Sequence, residues 1–365
     1  MSSLYRENAR TTTGVLESAK YISENSTYVT ISQSACESAA ISIYAAMQEK
    51  SYTTETWINH VLNPKVRDAN AIDWIFLVDL LNFSFWSDAD LEDTGKAETA
   101  RYAINWAGQY WTGYWSLCAV VNRALSEGIP ITTPSFWTDT EKCTDDLIAY
   151  IFRSDTTESV PMLQERISCM REAGSALVSQ FGGRFTNCIT EAGNSAVRLV
   201  HIVVDSFPCF RDESEYKGRT VQIYKRAQIL VAGWYRANVR VPDIWACFNQ
   251  TSYGKFDDID KISMFADYRV PQILHTLGCL EYSTELTAHI DSLQMIDHND
   301  EREVELRGCS IWSVEVIKQA LLREHPESKI NSVLLDFYLW DTAKELQANM
   351  VRPSVACHRT RSVFY

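Results

Sequence analysis

Apolar residues recurring at three- and four-residue intervals are the feature that most limits what this chain can fold into. Val270, Ile273, Leu274 and Leu277 form an i, i+3, i+4, i+7 stripe, and Ile311, Val314, Ile317 and Leu321 repeat the pattern. Leu163, Ile167, Met170 and Leu177 mark one face of the segment 161–180, which Phe181-Gly182-Gly183 then stops. Stretches near 36–49, 189–205 and 284–295 carry the same period. Such a repeat puts its apolar side chains on one helical face, which folding must bury. Period-two alternation is scarce: Thr220-Val221-Gln222-Ile223 alternates briefly, and the tail from Arg352 to Tyr365 could be extended. The pattern predicts a mainly α protein, a compact multi-helix domain with a few short strands.

Polar interruptions near 87–100, 211–219, 249–260 and 296–303 read as surface loops between helices, since no Pro/Gly/Ser tract separates two compositions. The first 25 residues are polar and are expected to be frayed, which leaves 26–365 as one helical domain or two closely packed lobes. At 365 residues and 46% hydrophobic content, the chain can bury a large core.

Charge narrows the function. Lys and Arg total 34 against 47 Asp and Glu, a net charge of −13, and no basic run occurs. Grip on a nucleic-acid polymer rests on neutralising phosphates with a basic surface. The composition therefore argues for a small substrate over intact tRNA or DNA, and leaves room for a local basic pocket that holds one phosphate. The ten cysteines contain no Cys-x-x-Cys pair, no signal-peptide core opens the chain, and no run reaches transmembrane length. A reducing compartment, the cytoplasm or the nucleus, is expected.

Carboxylates set in strongly apolar sequence supply the candidate chemistry. Phe265-Ala266-Asp267-Tyr268-Arg269 and Leu335-Asp336-Phe337-Tyr338-Leu339-Trp340-Asp341 bury charge at a cost that a cationic partner, a ligand or a reaction must offset. Asp267 precedes a helical stripe, and Pro271 fits the first turn, so a purely structural role as N-cap competes with a catalytic one. In the catalytic role its negative charge would stabilise positive charge that develops in a transition state. Asp336 and Asp341 stand roughly 140° apart around a helix of 3.6 residues per turn, so they need not share a face. Pairing with arginine or capping of other helices competes with base recognition, in which a carboxylate accepts from the adjacent N–H groups of a guanine-like edge.

Aromatic rings are dense between Trp74 and Trp115. One such ring is more often core than a stacking platform, and Phe265 leaves that default because it neighbours Asp267. His60 could contact a base, or be a satisfied structural histidine. For a phosphate, Lys225 and Arg226 in Tyr224-Lys225-Arg226-Ala227-Gln228 offer adjacent cations, with Arg153 and Arg307 as weaker alternatives. No Gly-rich phosphate loop, His-Glu-x-x-His or Gly-x-Ser-x-Gly is present, and the seven histidines do not cluster at metal spacing. No metal and no organic cofactor are expected.

These segments, taken in order, resemble one known family. Asp79-Leu80-Leu81-Asn82-Phe83-Ser84-Phe85-Trp86, Gly113-Tyr114-Trp115-Ser116-Leu117-Cys118, Asn122-Arg123-Ala124-Leu125, Glu127-Gly128-Ile129-Pro130 and Phe152-Arg153-Ser154-Asp155 are followed by the Lys225, Asp267, Glu305–Ser310 and Asp336–Asp341 segments. From about Trp57 onward the chain is similar to the queuosine 5′-phosphate N-glycosylase/hydrolases, the queuosine salvage proteins. The resemblance implies a helical fold like that of base-excision DNA glycosylases and a mononucleotide substrate. It implies release of the base queuine without a cofactor, a membrane or a nucleic-acid polymer as partner. It also implies that Asp267 is the catalytic carboxylate, and that His60, Phe265, Asp336, Phe337 and Asp341 contact queuine. The family commonly carries Tyr where Phe337 stands; Phe keeps the ring and has no hydroxyl to donate. A non-catalytic carrier or sensor of queuine is the alternative reading.

Overall fold

The computed structural model describes residues 10–50, 60–87, 101–232, 244, 248, 253–348 and 353–365. The expected helices are present. α1 (Val15–Asn25), α2 (Gln33–Lys50) and α3 (Ala69–Leu80) open the chain, and α4 (Tyr114–Ser126), α5 (Pro134–Thr138) and α6 (Asp145–Ile151) follow. α7 (Leu163–Gln180) ends where the Gly183 amide donates to the Leu177 carbonyl (2.8 Å), as the Phe-Gly-Gly stop predicts. The periodic stretch 189–205 is two helices, α8 (Phe185–Ala192) and α9 (Ala196–Ser206). The break falls at Gly193 and Asn194, both at positive φ, and the Ser195 side chain caps the second helix. α10 (Lys225–Ala232), α11 (Arg269–Thr276), α12 (Thr284–Asp291), α13 (Glu301–Glu324) and α14 (Ser332–Ala348) complete the set.

Strands are short and pair only in twos among the described residues. β1 (Val29–Ile31) joins β6 (Leu280–Tyr282), β2 (Ala103–Trp106) joins β3 (Gln109–Thr112), and β4 (Glu213–Tyr216) joins β5 (Arg219–Gln222), all antiparallel. The polar stretch 211–219 is therefore a hairpin rather than a loop. Lys217 and Gly218 turn it with positive φ, the geometry that two-residue hairpins favour. Residues 353–365 make no strand, only a single bridge between Arg359 and Met295. The interruption at 87–100 falls outside the described residues from 88 on, as does 249–252 of the third.

The polarity of the first 25 residues predicts fraying, and from Val15 on that expectation fails. α1 buries Val15, Ser18, Ala19 and Ile22 against α13. The polar residues that suggested disorder are its other face, and three apolar positions with one buried serine suffice to dock three turns. α13 is the axis of the fold: from Glu303 to Leu321 almost every residue is buried, polar ones included. Glu305 shows why a carboxylate is tolerated there. Its oxygens accept the amides of Thr27 (2.8 Å), Tyr28 (2.6 Å) and Val29 (3.2 Å) and the Tyr216 hydroxyl (2.8 Å). The turn between α1 and β1 thus closes on an anion from the central helix.

Close approach of α1 to α13 depends on Gly308. A β-carbon built there would lie 2.5 Å from Ile22 Cδ1 and 2.8 Å from Ile22 Cβ, so the clash reaches the stem of the side chain. Gly308→Ala is expected to cost roughly 1–3 kcal/mol by overpacking, read as a lower urea midpoint. Ile22→Ala combined with it should cost less than the sum of the two single changes; strict additivity would mean that the contact does not matter.

Candidate active site

A cleft of about 500 Å³ opens beside the N-terminus of α11. Its walls come from the α3–β2 region (Asn82, Ser84, Phe85, Trp86), the start of α4 (Tyr114, Trp115), α10 (Lys225, Ile229), the Asp267–Arg269 segment, α14 (Trp340, Lys344) and the tail (Ala356–Arg359, Tyr365). Among the described residues five cationic side chains line it, Arg101, Lys225, Arg269, Lys344 and Arg359, against one carboxylate, Asp267. In a chain of net charge −13 this is a local reversal of sign, suited to an anionic ligand.

Asp267 is both cap and cleft residue. Its Oδ1 accepts the amides of Arg269 (2.8 Å) and Val270 (2.9 Å), satisfying the first turn of α11. Its Oδ2 accepts the Trp340 indole N–H (3.1 Å). Three donors fix the carboxylate while it still faces the cleft, so the structural and catalytic readings coexist in one side chain. Trp340 in turn lies under two cations, with Arg269 5.8 Å and Lys344 5.5 Å from its ring centre.

The segment holding Asp267 is anchored from behind. The Ala266 carbonyl accepts from Arg307 Nε (3.0 Å), and the Phe265 amide donates to Asp336 Oδ1 (3.0 Å). Arg307 also grips Asp212 with both terminal nitrogens (3.0 and 2.5 Å) and reaches Glu303 (3.1 Å). It is fully buried, so it is a structural cation and takes no part in holding a phosphate. Arg153 is also structural: it pairs with Glu127 (2.5 Å) and stacks on Tyr150, and it does not line the cleft. Arg226 turns inward to the carbonyls of Asp79 (3.0 Å), Leu80 (2.7 Å) and Cys209 (2.5 Å). Of the Lys225-Arg226 pair, only Lys225 reaches the cleft.

Asp336, Phe265 and Phe337 are buried immediately behind the cleft wall, the two rings 6.4 Å apart. Asp341 is buried one turn further along α14. Asp336 Oδ2 has no hydrogen-bond partner among the described residues. Burial, then the charge of Asp267, pushes the Asp336 carboxyl well above the usual range. His60 is half-buried and stacks on Trp115 at 3.8 Å, one ring behind the opposite wall; Trp57–Asn59, which precede it, lie outside the described residues.

Sequence reasoning missed the tail. Tyr365 is buried, gives its hydroxyl proton to Glu303 (2.7 Å) and lies 3.1 Å from His358 Nε2, and both line the cleft. No periodicity flags an irregular tail, although its aromatic and basic residues at 358–365 were a weak signal. Trp340 and Lys344 were more legible, standing four apart on α14.

The fold and cleft define a mainly α protein with a partly open site that holds one fixed carboxylate, several cations and several aromatic walls among the described residues. The chain matches the profile of the family described as queuosine salvage protein over residues 62–365, and it belongs to that family. It is 47% identical to a queuosine 5′-phosphate N-glycosylase/hydrolase of Schizosaccharomyces pombe, covering 96% of this chain and 99% of that protein. Proteins with the same name from Mus musculus (42%; 96% of this chain, 98% of that protein) and Sphaerobacter thermophilus (36%; 96% and 98%) are also similar over nearly their whole length. Among the described residues no helix is long and apolar enough to cross a membrane, and no group of His, Cys, Asp and Glu could hold a metal ion.

Burial, opposed by Glu303 and aided by Arg307, pushes the His358 imidazole down to about 4. An unfolded histidine titrates near 6.5, so between these values the unfolded chain binds a proton that the folded chain does not. Stability should therefore be complete above about pH 6.5 and fall by up to about 3 kcal/mol as pH approaches 4. Urea unfolding across that window checks it: His358→Gln should flatten the upper part of the slope.

Proposed function

We infer that this chain is a hydrolase of queuine salvage, cleaving the N-glycosidic bond of queuosine 5′-phosphate to release queuine and ribose 5-phosphate. The observation that carries the reading is Asp267, a carboxylate fixed by three N–H donors in a cleft lined with aromatic rings and several cations. The names of the full-length relatives support the substrate. The composition and a cleft of about 500 Å³ favour a mononucleotide over a polymer.

Breaking the bond leaves positive charge on the ribose. A preorganised carboxylate stabilises it without having to reorient. Asp267 performs this role, while the surrounding cations Arg101, Arg269, Lys344 and Arg359 match a 5′-phosphate. Queuine is a 7-deazaguanine, so the protonation at N7 that helps a purine depart is unavailable. The base is held instead by Asp336 and Asp341, the Phe265 and Phe337 rings, and His60. The upward push on the Asp336 carboxyl favours its protonated form, which can donate as well as accept and suits an edge with both kinds of group. Phe337 contributes its ring alone. The cysteine content fits work in the cytoplasm or nucleus.

Incubation with queuosine 5′-phosphate, queuosine and guanosine 5′-phosphate, with mass spectrometry for free base, tests the reading. Queuine should appear from the first, little from the second, and no guanine from the third. Asp267→Asn should keep the fold and lower turnover on the order of 10²–10³ or more. A carrier or sensor would bind queuine and release no base from any of the three. Near-normal turnover in a folded Asp267→Asn protein would remove this carboxylate from the chemistry.

A further inference from the structure

We propose that Lys225 is the proton-transfer group of the cleft, giving a proton to the departing base and recovering one from the attacking water. The proposal rests on the hydrolase reading above and assigns Lys225 to the bond-breaking step rather than to the phosphate.

Hydrolysis of this bond needs a proton donor as well as a negative charge. Asp267 is unsuited to donate, since both its oxygens accept N–H bonds. Of the other deeply buried ionisable groups of the wall, the Cys357 thiol is pushed up by burial to about 11, far from neutrality, and the rest are engaged elsewhere. The Tyr102 hydroxyl donates to the Phe152 carbonyl (3.0 Å), Tyr365 donates to Glu303 (2.7 Å), and His358 is turned to Tyr365 (3.1 Å). Arginines hold their protons too tightly to serve. Lys344 is only half-buried and lies against the Trp340 ring.

Lys225 differs from all of these. It lines the cleft, is 7% exposed, and its side chain has no hydrogen bond or ion pair among the described residues. Its backbone N–H is held by Asp212 Oδ2 (3.2 Å), which sets the first residue of α10 against the Arg307 cluster. The charges around it are mixed: Asp267 and Asp212 favour the ammonium, Arg307 and Arg226 oppose it, and Asp79 and Asp336 also feel its field. Burial outweighs the rest and pushes the ammonium down to about 8. A lysine so placed loses and regains a proton near neutrality, as general acid–base catalysis requires.

The step balances. The C1′–N9 pair leaves with the base, and the Lys225 ammonium protonates the departing base and becomes an amine. Water adds to C1′ and gives its extra proton to that amine, restoring the ammonium. One water is consumed, and queuine with its ring nitrogen protonated and ribose 5-phosphate are formed.

The test compares wild type, Lys225→Met and Lys225→Arg on two substrates, with circular dichroism as the check on folding. One substrate is queuosine 5′-phosphate; the other is 4-nitrophenyl ribofuranoside 5-phosphate, whose nitrophenolate departs without a proton. Lys225→Met should lower kcat on the nucleotide on the order of 10²–10⁴, leave KM within a few-fold, and lose at least about tenfold less on the nitrophenyl substrate. Lys225→Arg should keep the charge and fail to restore turnover. Wild-type kcat/KM should decline as pH rises through about 8, a limb missing in both variants. A rise in KM with kcat preserved, rescue by arginine, or equal losses on both substrates would overturn the proposal. If neither variant folds, a wild-type rate flat between about pH 7 and 9 overturns it and a decline supports it. Wild-type protein that cleaves the nitrophenyl substrate but releases no queuine would instead overturn the substrate assignment.

Discussion

One buried guanidinium organises the centre of the molecule. Arg307, on the central helix α13, binds Asp212 with two nitrogens, Glu303 with one of them, and the Ala266 carbonyl with its Nε. Burial opposes a charge there, but Asp212, then Tyr365 and Glu303, hold the proton on more firmly than usual. Burial alone would raise the Glu303 carboxyl; Arg307, His298 and Tyr365 instead hold it down at about 2. A buried pair of this kind is weak evidence of net stability, because desolvation offsets much of the attraction. Its value is positional. Three separate chain segments, the β4 entry, the strand-like run before Asp267, and the tail, meet on one rigid fork.

The cleft inherits its geometry from that fork. Asp212 also fixes the Lys225 amide, so Asp267 and Lys225, both lining the cleft, are set from one cluster. Asp336 adds a second tie by accepting the Phe265 amide. Among the described residues the segment that carries Asp267 is already tied in place, which is the condition for electrostatic preorganisation.

Much of this was legible in the sequence, for physical reasons that can be named. The stripes at Val270–Leu277 and Ile311–Leu321 survive as helices because burial enforces the period; Leu277 alone sits past its helix end and is half exposed. Asp267 stood out because a carboxylate in aromatic sequence must have a reason, and it has two. The residues 10–25 were misjudged because a helix that docks by four side chains has too weak a composition signal. Arg226 and Arg307 illustrate the deeper gap. In sequence they are cations next to a motif, while in the fold they satisfy carbonyls and carboxylates from segments remote along the chain. No local pattern distinguishes a cation that faces a ligand from one that faces the backbone.

The tail carries a further consequence. Ser84, just after α3, donates its amide to the Tyr365 carbonyl (2.9 Å) and its hydroxyl to the Ser362 carbonyl (2.9 Å), across 278 residues for the second contact. Those same tail residues complete the cleft wall and the Glu303 network. During synthesis, the helices from α1 to α12 emerge while one side of the cleft is still missing. The ring of contacts around the site closes only when the chain has been made through Tyr365, and the entropy of that long closure is met last. Assembly of the cleft is therefore a late event in synthesis, coupled to the tail that ties Ser84 to the Glu303 network.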